Sequence, residues 1–571
     1  MRWIRLSIYY LPLLHGALCL WMMNPRGLEP VSDEPVYVSL AKSLATTGSY
    51  NSIFLPGNPA HGKYPFLYPW LLSRVWRITP EFPANVTALR LFNIAIGMAF
   101  LGVLGAMLFA SRVCTYQFAF CILLICSLHP AVIANSISLH SETAFSLFTC
   151  LGIWALFHGD IKSRGLTSSM KMRFWRRVAL RRDPDGAGPS SIVTSRGGLK
   201  GSWGYLLIGG GFFGCAFYVR TAGLALAAGF LCYLLRKSRW REALVWSALT
   251  LTLIFPWFYW ESTRRVSTDF PEYIFYGSYF TIFLKLIHTQ GLLKFLTSNV
   301  LCLVVGIPKL LIFPFQTNLR FITHMTMWAG FPLLFVLARG VIRSCPEHFD
   351  LVRWYLLFSL LMLLLWPFPA GERFLSPLLP FFFLFLFFEG AHWVRKKKTA
   401  SNRTPKLFLA IWLGYAALGG LCVTIHFVHF VTLSLHHNRT FESGEIEMRE
   451  SFEWIKTQTL PSDVLMANFD PLYYLHTGRK TAPMSFEYAR RIDEPRFDIS
   501  PIRKHRIRYL IVGEHDFEVF TPDVVDLMRR ELQTTLDGSS GIHFLKVFES
   551  SHRKYVIYQI GVENGPQVAG A

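Results

Sequence analysis

Charge is what this sequence has little of. Only 16% of its 571 residues are Asp, Glu, Lys or Arg, against 52% apolar, whereas average soluble domains carry roughly 25% charged residues. The shortfall argues against an ordinary soluble enzyme and puts the chain among membrane proteins. Paired cysteines are missing too. None of the 10 cysteines lies in 23–110 or beyond Cys422, and no CxxC occurs. A disulfide framework in exported parts is thereby excluded and structural zinc disfavoured; the cysteines read as small apolar packing residues. No small-x-small cleavage site follows the first apolar run, which ends Trp21-Met22-Met23-Asn24-Pro25. That run therefore reads as an uncleaved membrane helix rather than a removed signal. No repeat is visible, and the region beyond 436 has no nucleophile elbow, zinc motif or phosphate loop.

What is present is a succession of apolar runs. A membrane helix needs about 20 apolar residues, and candidates fall near 4–23, 87–110, 116–134, 141–158, 203–219, 221–235, 242–260, 324–338, 351–367, 374–394 and 407–434. The net charge of +21 sits in short basic runs between them, including 159–202, Arg236 to Arg241, Arg339 with Arg343, and Arg395 to Lys398. Such placement follows the positive-inside rule and argues against nucleic acid as a partner. Threading these runs on one side puts the N-terminus in the cytoplasm and both the loop 24–86 and the tail 436–571 outside. Residues 290–315 are apolar enough to span but carry Lys294, Pro308, Lys309 and Pro314. Counting them as a span would put Arg339 and Arg343 outside, so they are expected to lie at the outer surface or to re-enter. Residues 183–202, rich in Gly and Ser, read as a flexible cytoplasmic linker.

The expected fold is an α-helical polytopic membrane protein of about eleven transmembrane helices, or thirteen if a pair is missing from the count. A membrane domain covers 1–435 and a small exported α/β domain covers 436–571. In the second, helix-like stretches (443–458, 522–536) alternate with β-like runs such as Val464-Leu465-Met466, Tyr509-Leu510-Ile511-Val512 and Tyr555-Val556-Ile557-Tyr558. The expected location is a plasma or inner membrane.

The loop 24–86 is long for a connection. Asp33-Glu34-Pro35 precedes Val36-Tyr37-Val38-Ser39-Leu40-Ala41, an amphipathic helix with an acidic start and an early proline. A second helix is expected over His61 to Leu72, and both should lie at the outer interface. Taken singly, these residues have plain structural readings. Asp33 reads as an N-cap with Glu34 on the helix dipole, Lys63 as a snorkelling lysine, Arg220 and Arg373 as headgroup anchors, and Glu142 as a helix N-terminal charge. His61 and His140 read as interface residues rather than ligands.

Taken in order, the motifs resemble the C-type membrane glycosyltransferases, which include protein O-mannosyltransferases, aminoarabinose–lipid A transferases and bacterial core-sugar transferases. The motifs stand as Asp33-Glu34-Pro35-Val36-Tyr37, Gly48-Ser49-Tyr50, and Lys63-Tyr64-Pro65-Phe66-Leu67-Tyr68-Pro69-Trp70-Leu71. They are followed by Ser141-Glu142, Arg220-Thr221-Ala222-Gly223-Leu224, and Glu372-Arg373-Phe374-Leu375-Ser376-Pro377-Leu378-Leu379-Pro380. The resemblance covers about 1–435. There are two departures: many relatives have Lys-Pro-Pro where this chain has Lys63-Tyr64-Pro65, and Gly62 stands where some members place an acidic residue.

The resemblance implies a polyprenyl-phosphate-linked sugar donor, with membrane lipids around it and a glycan, lipid or protein as acceptor. Asp33, or else Glu34, would be the catalytic base. Lys63, Arg220 and Arg373 would hold the lipid phosphate, and Tyr37, Tyr64 and Glu142 would contact sugar or acceptor. Displacement of the phosphate would invert the anomeric carbon. No metal ligand set is assigned, and a divalent metal stays open as a cofactor. The alternative reading is a transporter or flippase of a lipid-linked intermediate; transporters usually show inverted repeats, and no matching halves are visible here. A third reading is a scaffold whose work lies in the exported tail, which deletion of the tail would separate from the first.

Overall fold

The computed structural model describes residues 2–23, 27–30, 32–110, 116–163, 199–264, 279–312, 320–343, 350–367, 371–398, 446–484, 486–488, 495–497, 499–513, 522–536 and 542–562. In chain order the helices before residue 240 are α1 (Arg2–Met22), α2 (Glu34–Thr46), α3 (Leu67–Ile78), α4 (Asn85–Ala110), α5 (Tyr116–Leu128), α6 (Pro130–Ile137), α7 (Glu142–Ser163), α8 (Leu199–Val219) and α9 (Leu224–Arg236). Next come α10 (Trp240–Thr263), α11 (Tyr279–Gln290), α12 (Leu292–Ile312), α13 (Arg320–Arg343), α14 (Asp350–Leu364), α15 (Glu372–Leu375) and α16 (Leu379–Lys398).

Ten of the eleven apolar runs fall on these helices, and the eleventh, 407–434, lies outside the described residues. Among the described residues, Asn85–Phe109, Trp240–Thr263, Leu292–Leu311 and Glu372–Trp393 are each long and apolar enough to cross a membrane. The pair α5 and α6 meets the same test but bends by 52° at His129-Pro130. The run 116–134 is thus one broken element, because a proline ring displaces the carbonyl it would meet in a straight helix. Helix α10 leaves Leu244, Leu251, Phe255 and Tyr259 exposed along one side. So large an uncovered apolar stripe fits contact with lipid. Helix α12 differs from the expectation in one respect: it is a single helix of spanning length. Asn299 donates to the carbonyls of Leu364 and Trp366, both at 2.9 Å, and Lys309 bonds Glu372 at 2.8 Å.

The C-terminal elements are a helix over 446–458 (α17), β1 (Val464–Ala467), α18 (Asp470–Thr477), β2 (Thr481–Pro483), β3 (Phe486–Tyr488), β4 (Pro495–Phe497), α19 (Ser500–His505), β5 (Ile507–Gly513), α20 (Pro522–Leu536), β6 (Ile542–Glu549) and β7 (Tyr555–Val562). They form a five-stranded sheet in the order β2-β1-β5-β7-β6, with β1 parallel to β2 and β5 and with β7 antiparallel to β5 and β6. Alternation along the strands separates two cores. Met466, Ala482, Leu510 and Ile542 pack with Leu532 of α20, whereas Leu465, Ala467, Tyr509, Ile511, Tyr555 and Ile557 join a core shared with α17 and the membrane helices.

That shared core corrects the placement of the loop helices. Helix α2 was expected at an interface, yet Glu34, Pro35, Val36, Tyr37, Val38, Ser39, Leu40 and Ala41 are all buried. Apolar residues surround the helix instead of forming one stripe, so it needs cover on more than one side. The bundle covers one side and α18 packs on α2. Lys42 Nζ lies 4.8 Å over the Tyr474 ring, Thr481 N donates to Phe54 O at 2.8 Å, and Lys480 Nζ donates to Ile53 O and Asn58 Oδ1. The second loop helix begins at Leu67 rather than His61. Pro65 biases the residue before it away from helical backbone, leaving 61–66 as an irregular segment.

Candidate active site

Asp33 precedes α2 but does not cap it with its side chain. Its oxygens turn to other partners: Tyr64 OH donates to Oδ1 at 2.6 Å, and Arg373 Nη2 donates to Oδ2 at 2.7 Å. Arg373 Nε also donates to Glu142 Oε1 at 2.5 Å, and Arg220 Nη1 pairs with the same oxygen at 2.5 Å. A continuous chain of alternating charge therefore runs Asp33–Arg373–Glu142–Arg220, drawn from the loop before α2, the start of α15, the start of α7 and the turn before α9. Asp33 and Arg373 are each 25% exposed, whereas Glu142 is 1% exposed. Glu142 Oε2 has no hydrogen-bond partner among the described residues.

Lys63 adds a fifth charge. It is buried, with Nζ 5.1 Å from the Tyr64 ring centroid and 5.8 Å from that of Tyr279. Burial lowers its pKa to about 8 against the opposing pull of Asp33. For Asp33, burial pushes the carboxyl up, but Arg373, Lys63 and the Tyr64 hydrogen bond hold it below the usual carboxylate range. Burial, and then Asp33, drives the Tyr64 phenol well above its ordinary value, so it remains a donor. Tyr37 shares a 3.0 Å hydrogen bond with Ser141 Oγ and packs its ring 4.8 Å from Tyr64 and 5.0 Å from Tyr68. His61 is buried rather than interfacial. Its Nε2 accepts from Tyr64 N at 3.1 Å, so Nδ1 carries the proton toward Ser52 Oγ at 3.0 Å. Burial lowers its pKa to about 3, leaving a neutral brace for the 61–64 turn.

Seven of the eight residues singled out by sequence surround this centre; Glu34 is engaged differently. It is 1% exposed. It accepts from Leu139 N at 2.8 Å, Glu29 N at 3.0 Å and Arg90 Nη2 at 3.4 Å. These bonds fix the start of α2 against the turn before α7, which spaces Asp33 from Glu142. Sequence reasoning missed this scaffold. Asn93 Nδ2 donates to the carbonyls of Asn135, Ser136 and Ser138, and Asn135 Nδ2 donates to Ser376 Oγ at 2.7 Å, three residues from Arg373. Arg90 and Asn93 in the apolar α4 were the available signal, since polar side chains inside such helices are costly unless paired.

A pocket opens beside the charge chain. Glu142 and Arg220 line one part, and Phe145, Tyr355, Met362, Trp366 and Phe374 supply apolar walls. An apolar cleft with a few convergent charges is the usual form of a ligand site.

No family model matches the chain, and no curated protein sequence matches it. Solved structures do. The crystal structure of ArnT from Cupriavidus metallidurans bound to undecaprenyl phosphate aligns with a TM-score of 0.51 at 14% identity, covering 99% of this chain and 99% of that one. The apo form of that protein gives 0.50 at 12% identity, over 96% and 97% of the two chains. The apo oligosaccharyltransferase of Archaeoglobus fulgidus gives 0.52 at 11% identity, covering 90% of this chain and 70% of that one. At these identities the likeness establishes the fold, which is that of polytopic membrane glycosyltransferases, as the sequence motifs imply.

Proposed function

We propose that this protein is an inverting glycosyltransferase that takes a sugar from a polyprenyl-phosphate donor on the outer side of a plasma or inner membrane. The carrying observation is the charge chain Asp33–Arg373–Glu142–Arg220 beside an apolar pocket. A polyprenyl-phosphate sugar combines an apolar tail with an anionic phosphodiester head, and the pocket pairs aromatic walls with Arg220. The similar ArnT structure, which holds undecaprenyl phosphate, supports this donor class.

The acceptor hydroxyl attacks the anomeric carbon. A carbon–oxygen bond forms there while the bond to the phosphate oxygen breaks, and the phosphate keeps the electron pair. Lys63, Arg220 and Arg373 stabilise the departing anion. Asp33 takes the acceptor proton. With Arg373 and Lys63 holding it, Asp33 is a weak base at rest. A donor phosphate would draw on those same cations and raise its basicity once both substrates are in place. Glu142, through its free Oε2, and the Tyr37 and Tyr64 hydroxyls orient sugar or acceptor.

The test is transfer from labelled polyprenyl-phosphate sugars by the purified protein in lipid discs. Wild type should release polyprenyl phosphate and label an acceptor; Asp33→Asn should not. Full transfer by both Asp33→Asn and Lys63→Ala would refute the site.

A further inference from the structure

Next in sequence to Asp33 and Glu142 lies a second cluster that the transfer reaction does not use. We infer that Glu29, Glu34 and His140 form a divalent-cation site that ties the loop ahead of α2 to the turn ahead of α7. The inference goes beyond the proposed transfer and does not depend on it.

Geometry carries the argument. One carboxylate oxygen from each glutamate and one imidazole nitrogen of His140 all lie within 4.8 Å of one another. Ligands about 2.0–2.2 Å from a common ion are separated by up to roughly 4 Å, so a small inward movement closes the set. A second observation points to a ligand. His140 is only 8% exposed, and its Nε2 has no hydrogen-bond partner among the described residues. A buried ring nitrogen is costly to leave unsatisfied.

The charge balance agrees. Two carboxylates side by side repel, and Arg90 reaches Glu34 at 3.4 Å, long for a charge-assisted bond. Glu29 is exposed, so the cluster is open on that side for an ion and completing waters. Two carboxylates with one imidazole suit a borderline ion such as Zn²⁺ or Mn²⁺ better than a soft one. The consequence is positional. His140 stands two residues before Glu142, and Glu34 directly follows Asp33. An ion shared by Glu34 and His140 would therefore set the spacing of the two carboxylates that hold Arg373.

The test uses the full chain in lipid discs, stripped with a chelator and titrated separately with Zn²⁺ and Mn²⁺ alone. Stripped wild type should take up one equivalent of one of these ions by elemental analysis, and its melting temperature should rise on loading. Glu29→Gln, at an exposed position, should fold normally, bind at least about tenfold more weakly, and lose the metal-dependent rise. His140→Ala should do the same. Uptake of neither ion by wild type, or wild-type affinity in Glu29→Gln, would overturn the inference. The readout is metal content and melting, so it stands or falls separately from sugar transfer.

Discussion

Two buried carboxylate–guanidinium clusters sit at the two ends of the helix bundle, and their chemistry differs. At the end of α9, Asp350 faces Arg353 at 2.6 Å and Arg236 and Lys237 at 3.8 Å. Nearby in kind, Glu389 takes Arg339 and Arg343 at 3.1 Å and the Trp393 indole. These carboxylates are outnumbered by cations, and part of the partnership is local, as in the three-residue step from Asp350 to Arg353. Such clusters anchor helix ends. At the other end, Asp33, Glu142, Arg220 and Arg373 come from four separate segments and balance charge for charge. Lys63 stands beside them with a lowered pKa, and a pocket adjoins them. Burial with paired charge is therefore not what marks the functional end. Assembly from four segments and adjoining free volume set the proposed site apart.

The largest separation of the two clusters should come from matched amide substitutions. Asp33→Asn should lower transfer per folded molecule by about 10³-fold, within the range for loss of a general base, and lower melting as well, since Arg373 and Lys63 lose a carboxylate partner. Asp350→Asn should touch stability alone: transfer per folded molecule is retained, and stability falls by about 3 kcal/mol because the buried Arg353 loses its partner. If Asp350→Asn abolished transfer without loss of stability, the contrast between the ends would fail.

Arg373→Lys comes next. A lysine cannot make the forked contact to both Asp33 and Glu142, so turnover should fall by roughly 10²-fold with little change in donor affinity. A change confined to affinity would assign Arg373 to the headgroup alone.

Lys63 offers a pH test. Donor binding requires its charged form, so affinity should be flat below its pKa of about 8 and fall as pH rises through it. The loss should be roughly tenfold between pH 7 and pH 9, measured with polyprenyl phosphate alone. Lys63→Arg should remove this dependence. Lys63→Met should weaken binding yet raise the melting temperature, since a buried charge is costly at neutral pH; no cost is expected for removing a plain surface lysine.

The smallest effect is expected where α18 meets the segment between α1 and α4. Asp470 of α18 raises the pKa of Lys63 against burial. Asp470→Asn should therefore shift the affinity midpoint to lower pH by a fraction of a unit, and turnover at pH 7 should change by no more than about twofold.

The apolar runs, the basic runs and the motif order were legible because each is a local property. Spanning helices need length and apolarity, which show in any window of the sequence. The β-like runs of the tail fell on β1, β5 and β7 for the same reason. The irregular 61–66 segment and the burial of α2 were less legible. Whether a helix lies open at an interface or beneath another element depends on α18, more than four hundred residues away in sequence. Arg90, Asn93 and Asn135 are polar residues in apolar helices, a signal the sequence reading passed over, and nothing local says which groups they serve.

By itself the sequence determined a membrane-embedded helical protein, with Asp33, Lys63, Glu142, Arg220 and Arg373 as the charges worth following. The tertiary structure decided how they divide. It turned Asp33 away from its own helix toward Arg373 and Tyr64, and it gave Glu34 to the scaffold. The reason is that adjacent residues on a helix project in different directions, so the same carboxylate chemistry at 33 and 34 meets different surroundings. The neighbours that separate them, Arg373 for Asp33 and Leu139 for Glu34, are each more than a hundred residues distant.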